Sequence, residues 1–114
     1  MTKKIRLMAD YGCDPLWWDE PDEAGDFDPA TLPLNQQTIN RLYDWANAYD
    51  ARLNWDDPYD SPELSYEEIN AFDRDGINLW QQLIEELAPN YEVSYYSDRL
   101  QKLLTNPREV EVLL

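Results

Sequence analysis

Between Leu7 and Asn40 the chain places eight carboxylates, Asp10, Asp14, Asp19, Glu20, Asp22, Glu23, Asp26 and Asp28, and no lysine or arginine. Carboxylates at such spacings can do three kinds of chemistry. A pair such as Asp10 and Asp14 can work as general acid and general base. A group such as Asp22, Asp26 and Asp28 can hold Ca²⁺ or Mg²⁺, hard cations that take oxygen ligands. Carboxylates around aromatic anchors can dock a cationic protein, and Trp17 and Trp18 stand in the middle of this run.

Several other chemistries are excluded or poorly matched. The chain has no histidine, so neither a Ser-His nor a Cys-His nucleophile can be assembled. Asp73 to Gly76 reads DRDG, but alignment on Gly76 as the sixth position of an EF-hand loop puts Ala71 first and Gln82 last. Gly12, Gly25 and Gly76 stand alone, so no glycine-rich phosphate cradle is present. Cys13 reads as a small buried hydrophobe, because Asp14 beside it disfavours the thiolate of a reactive thiol. No metal and no cofactor is expected.

A second acidic, proline-bearing segment, NWDDPYDSPEL, adds Trp55, Asp56, Asp57 and Tyr59. The candidate partner-binding residues are therefore Trp17, Trp18, Asp19, Glu20, Asp22, Glu23, Trp55, Asp56, Asp57 and Tyr59. Against this stands a plainer reading: each aromatic folds over the core and each carboxylate is simply solvated.

The elements that must position these residues follow from hydrophobic period. Residues 3–11 read as a strand, with Ile5 and Leu7 alternating with Lys4 and Arg6. Residues 12–34 hold Pro15, Pro21, Pro29 and Pro33, each of which removes a backbone donor, so a long acidic loop is expected there. A helix is predicted over 35–53, with Asn35 as N-cap and Ile39, Leu42, Tyr43, Ala46, Tyr49 and Leu53 as its stripe. A second is predicted over 65–87, opened by a Ser65–Glu68 capping box and a Leu64–Ile69 staple. Its stripe, Ile69, Phe72, Gly76, Leu79, Trp80, Leu83 and Leu87, includes a glycine that costs about 1 kcal/mol against alanine, which implies close approach of another element or a local bend.

Tyr91–Tyr96 alternates as a second strand, with Val93 and Tyr95 on one side. Ser97 or Asp98 can cap a short helix through Leu100, Leu103 and Leu104, and the tail REVEVLL alternates as a third strand or a loose end. The expected fold is α+β over residues 1–114 as one domain: a small two- to three-stranded sheet, two long helices on one face, and a short C-terminal helix. Such a sheet leaves edges open to a second copy of the chain.

Composition narrows the partners. The 114 residues carry a formal charge of −15, yet 43% are hydrophobic and 13% aromatic, which suits a folded chain and not an acidic disordered one. Excess negative charge opposes binding to phosphate backbones and anionic membranes. The start, MTKKIRLMAD, has no apolar stretch behind its basic residues, so no signal peptide is expected and the cytoplasm is the expected location.

The segments RLMADYGCDPLWW and LPLNQQTINRLYDWANAYDARLNWDDP resemble a group of small acidic bacterial proteins of unassigned function. In size, acidity and architecture the chain is also similar to the immunity proteins of bacterial toxin systems and to phage-encoded nuclease inhibitors. That resemblance implies a protein that covers the substrate surface of a basic enzyme, and it assigns no role to any single residue. The leading expectation is a non-enzymatic acidic binding module that occludes a basic, nucleic-acid-handling partner such as a nuclease or toxin. The alternatives are a small enzyme or metal-dependent module using the loop from Asp10 to Asp28, and a structural subunit that dimerises through its sheet edges.

Overall fold

The computed structural model describes residues 2–52 and 64–108. Trp55, Asp56, Asp57, Tyr59, the end of the first predicted helix at Leu53 and the tail 109–114 lie outside the described residues. The elements in chain order are β1 (Lys3–Leu7), β2 (Leu16–Glu20), β3 (Glu23–Phe27), a 3-10 turn (Pro29–Thr31), α1 (Gln36–Asp50), α2 (Tyr66–Leu87), β4 (Tyr91–Ser97) and β5 (Lys102–Leu104).

The sheet has five strands in the order β3-β2-β1-β4-β5, which corrects the expected two or three. β1 pairs parallel with β4 and antiparallel with β2, and β2–β3 and β4–β5 are antiparallel. A parallel pair needs a long crossover, and α1 and α2 supply it.

Two differences account for the extra strands. The proline-bearing stretch contains a β-hairpin, because its prolines fall between elements. Pro15 precedes β2, and Pro21 with Asp22 forms the two-residue turn between Glu20 and its partner Glu23. Pro29 opens the 3-10 turn, where its missing N–H costs nothing. The expected C-terminal helix is instead a turn and β5. Gln101 turns the chain at φ 51°, and Leu104 then pairs with Tyr95 of β4.

Both helices start where local chemistry directs. Asn35 accepts a hydrogen bond from the Gln37 amide. Ser65 and Glu68 form a complete capping box, satisfying two N-terminal donors. α2 packs on β4, and α1 packs on α2. Ile5, Leu7, Leu16, Val93, Tyr95 and Leu104 face the helices from the sheet, and Leu42, Trp45, Phe72, Ile77, Leu79, Trp80, Leu83 and Leu87 meet them. Gly76 sits where Tyr95 and Trp45 come closest to α2. No helix among the described residues is long and apolar enough to cross a membrane.

Candidate functional site

The β2–β3 hairpin presents six of the sequence-predicted site residues and separates them by the pleat. Trp18 lies opposite Ile5, and Trp17 opposite Arg6. Directly opposed residues share a face, and successive residues do not. Trp18 therefore takes the helix side, stacked on Phe27 with ring centroids 4.3 Å apart and with the Lys3 ammonium 5.0 Å over its ring. Trp17 takes the open side, where its indole N–H donates to the Met8 carbonyl at 3.0 Å and holds the ring in place.

Asp19 shares that open side, 3.8 Å from the Arg6 guanidinium. Glu20 is committed to structure, accepting the Lys4 amide at 2.7 Å. Asp22 and Glu23 are exposed at the tip. The hairpin thus offers one rigid aromatic face and an acidic end. The edge strand β3 is a poor template for strand addition, since Glu23 and Asp26 charge it and Gly25 breaks its regularity at φ 114°.

The remaining acids of the run gather at the opposite end of the sheet. Asp26 accepts the Asp14 amide at 2.7 Å, and Asp50 of α1 accepts the Gly12 amide at 3.0 Å. Asp10 accepts the Tyr11 amide, and Asp28 accepts both the Ala30 amide and the Tyr43 hydroxyl. These bonds order the loop after β1. The Tyr43 hydroxyl, with the Ala30 amide, lowers the pKa of Asp28. Desolvation and the charges of Asp28 and Asp26 raise that of Asp14. Cys13 lies among these groups, and desolvation together with Asp26, Asp10, Asp50 and Asp14 raises its thiol pKa, which opposes nucleophilic use. Among the described residues no group of three or more His, Cys, Asp or Glu side chains is arranged to hold a metal ion.

A polar centre that sequence reasoning missed lies under the turn between β4 and β5. Asp73, on α2, is 2% exposed and accepts from Tyr95 Oη at 2.6 Å, Ser97 Oγ at 2.8 Å and Arg99 Nε at 2.9 Å. Beside it Arg52 bonds Asp98 at 3.0 Å and lies over the rings of Phe72 and Tyr49, at 4.3 and 4.8 Å. Burial, then the Asp73 hydrogen bond, raises the Tyr95 pKa. Burial and the Asp98 charge lead in pushing Tyr49 up to about 12. Every oxygen of Asp73 is satisfied, so this centre fixes the turn and leaves no group free for chemistry. The one available signal was its spacing of four from Ile69 and three from Gly76, which places it along the apolar stripe.

Residues 3–98, from the first residue of β1 to just past the end of β4, match the family model described as Serratia CdiI immunity protein-like. No curated protein matches the chain.

Proposed function

We propose that this chain, which belongs to the Serratia CdiI immunity protein-like family, is an immunity protein that binds a toxin and neutralises it without performing chemistry of its own. The observation that carries the reading is the family match over residues 3–98, a span that includes the whole hairpin and both helices. The finer reading concerns the partner. A formal charge of −15 suits a cationic toxin, and a cationic enzyme surface is what nucleic-acid substrates require. The hairpin is the docking edge in this reading. Trp17 acts as the anchor, with Asp19, Asp22 and Glu23 steering approach, while Trp18 acts through packing. Action is in the cytoplasm, where Cys13 stays reduced.

The test pairs the purified chain with candidate toxin domains, starting with any encoded next to its gene. Stopped-flow association should slow several-fold in Asp22→Asn/Glu23→Gln and lose much of its salt dependence, because rim charges act on encounter. Trp17→Ala should instead speed dissociation, by about 30-fold for a hot spot of ~2 kcal/mol, with the fold intact. Failure of the unaltered chain to bind the toxin or protect cells from it would overturn the proposal.

A further inference from the structure

Both helices pack on one face of the sheet, and the other face carries no second layer among the described residues. Every side chain on that other face is exposed or half-buried. β1 is the middle strand of the five, and register puts its Arg6 between Trp17 of β2 and Ser94 of β4. Tyr96, two residues past Ser94, shares the face with its partner Leu103, which is exposed. Neither Trp17 nor Tyr96 is stacked on a ring or a cation among the described residues. Tryptophan, tyrosine and arginine are the types that dominate interface hot spots, and here they are neighbours on a face that nothing covers. Asp19, Lys4 and Glu92, each two residues along its strand from Trp17, Arg6 and Ser94, give this patch a charged border.

Arg6 is the unusual member of the patch. Arg99, with a side chain 24% exposed, donates to Asp73 at 2.9 Å, and Arg52 donates to Asp98 at 3.0 Å. The Arg6 side chain is as little exposed, at 26%, yet its ion pair with Asp19 is 3.8 Å long and its Nε is buried with no hydrogen-bond partner. A half-buried guanidinium short of acceptors opposes stability, and such a departure is expected where a surface serves binding. A carboxylate matches the shortage best, because it takes two parallel N–H bonds from the terminal nitrogens of the fork. The formal charge of −15 repels polyanions, so the carboxylate is that of a protein side chain. The same charge draws any cationic protein at long range, and Arg6 can tell one from another. A surface seated here without a carboxylate would strip water from the guanidinium and leave it unpaired. We propose that the uncovered sheet face seats the toxin and that Arg6 determines specificity by pairing with a carboxylate of the toxin, flanked by Trp17 on one side and by Tyr96 and Leu103 on the other. This rests on the toxin-binding reading and extends the contact from the hairpin across β1 to β5.

The experiment uses the full chain, the toxin domain that the unaltered chain binds, and poly-lysine as a cationic control. Arg6→Met keeps the stem and removes the guanidinium. Its urea midpoint should equal or exceed the parent's, because Arg6 donates no hydrogen bond to any described residue. Its dissociation from the toxin should speed at least ten-fold, while poly-lysine binding stays the same. Arg6→Lys keeps a point charge without the fork and should still dissociate at least three-fold faster than the parent. Arg6→Glu should abolish binding, and one carboxylate-to-lysine change on the toxin should restore it. Unchanged toxin dissociation in Arg6→Met, full recovery in Arg6→Lys, or a lowered urea midpoint in Arg6→Met would overturn the proposal while the immunity reading stands. So would a scan of the toxin's carboxylates that finds no change restoring Arg6→Glu. If the unaltered chain binds no toxin domain, the immunity reading falls and this proposal falls with it.

Discussion

Gly76→Ala isolates a conflict between local propensity and tertiary packing. On an exposed helix the change would stabilise by about 1 kcal/mol. Here the added Cβ would stand 2.5 Å from Tyr95 Oη, 2.8 Å from Tyr95 Cζ and 2.9 Å from Trp45 Cζ2. Neither ring is free to yield. The Tyr95 hydroxyl is held by buried Asp73 at 2.6 Å, and Trp45 is stacked on Phe72 with its indole N–H on the Phe72 carbonyl at 3.1 Å. Overpacking of this kind costs about 1–3 kcal/mol. Displacing Tyr95 enough to lose its bond to Asp73 adds about 1–3 kcal/mol more. After the propensity gain the net loss should be about 1–5 kcal/mol, read as a lower urea midpoint at constant slope. Tyr95→Phe removes the atom nearest the new methyl, so Gly76→Ala/Tyr95→Phe should lose less than the sum of its parts, by about 1 kcal/mol. A Gly76→Ala protein as stable as the parent, or strict additivity in the cycle, would refute the close-packing argument.

Two further outcomes follow from buried and shifted carboxylates. Asp73→Ala should cost about 3–5 kcal/mol in the same urea assay, because it leaves Arg99, Tyr95 and Ser97 facing an uncompensated site; a loss under 1 kcal/mol would show that the network is dispensable. Glu86 and Asp14 should give opposite pH slopes. Desolvation pushes Glu86 up, but the Thr38 hydroxyl, the Asn35 amide, Gln82 and the Arg41 charge outweigh it and hold the folded pKa below 4.5. Its contribution is therefore present above the unfolded pKa and lost as pH falls through the folded one. The Asp14 pKa is raised above 3.8, so its contribution is present below that value and lost as pH rises through its folded pKa. Urea midpoints of Glu86→Gln and Asp14→Asn from about pH 3 to 7 should diverge from the parent in opposite senses, and slopes of one sign would contradict the assignment.

What was legible in the sequence was local. The Ser65–Glu68 box and the Asn35 cap need only a neighbouring turn to act, and both open helices in the structure. The alternation at Ile5 and Leu7 and at Val93 and Tyr95 marks the buried faces of β1 and β4, since a strand's side chains alternate whatever it pairs with. Gly76 on an otherwise apolar stripe implied a close approach, though not by which ring.

What the tertiary structure decided depends on groups far apart in the chain. The prolines of residues 12–34 mark that stretch as loop by sequence, whereas the strand character of β2 comes from pairing with β1 and that of β3 from pairing with β2. Ser97, Asp98 and three leucines read as a short helix, but Leu103 and Leu104 joined β4, where Leu104 is fully buried. Trp45 lies three residues from Leu42 and four from Tyr49, yet its burial rests on Phe72 of the facing helix, which the α1 sequence alone does not show. The pleat assigned Trp17 and Trp18 to opposite faces, a division set by register against Arg6 and Ile5. Asp73 could not be seen as a buried anchor until Tyr95, Ser97 and Arg99 were brought against it, 22 to 26 residues away in the chain. Capping and periodicity are short-range properties of a sequence, whereas burial, strand pairing and polar satisfaction are set by whichever distant side chains the packed layers bring into contact.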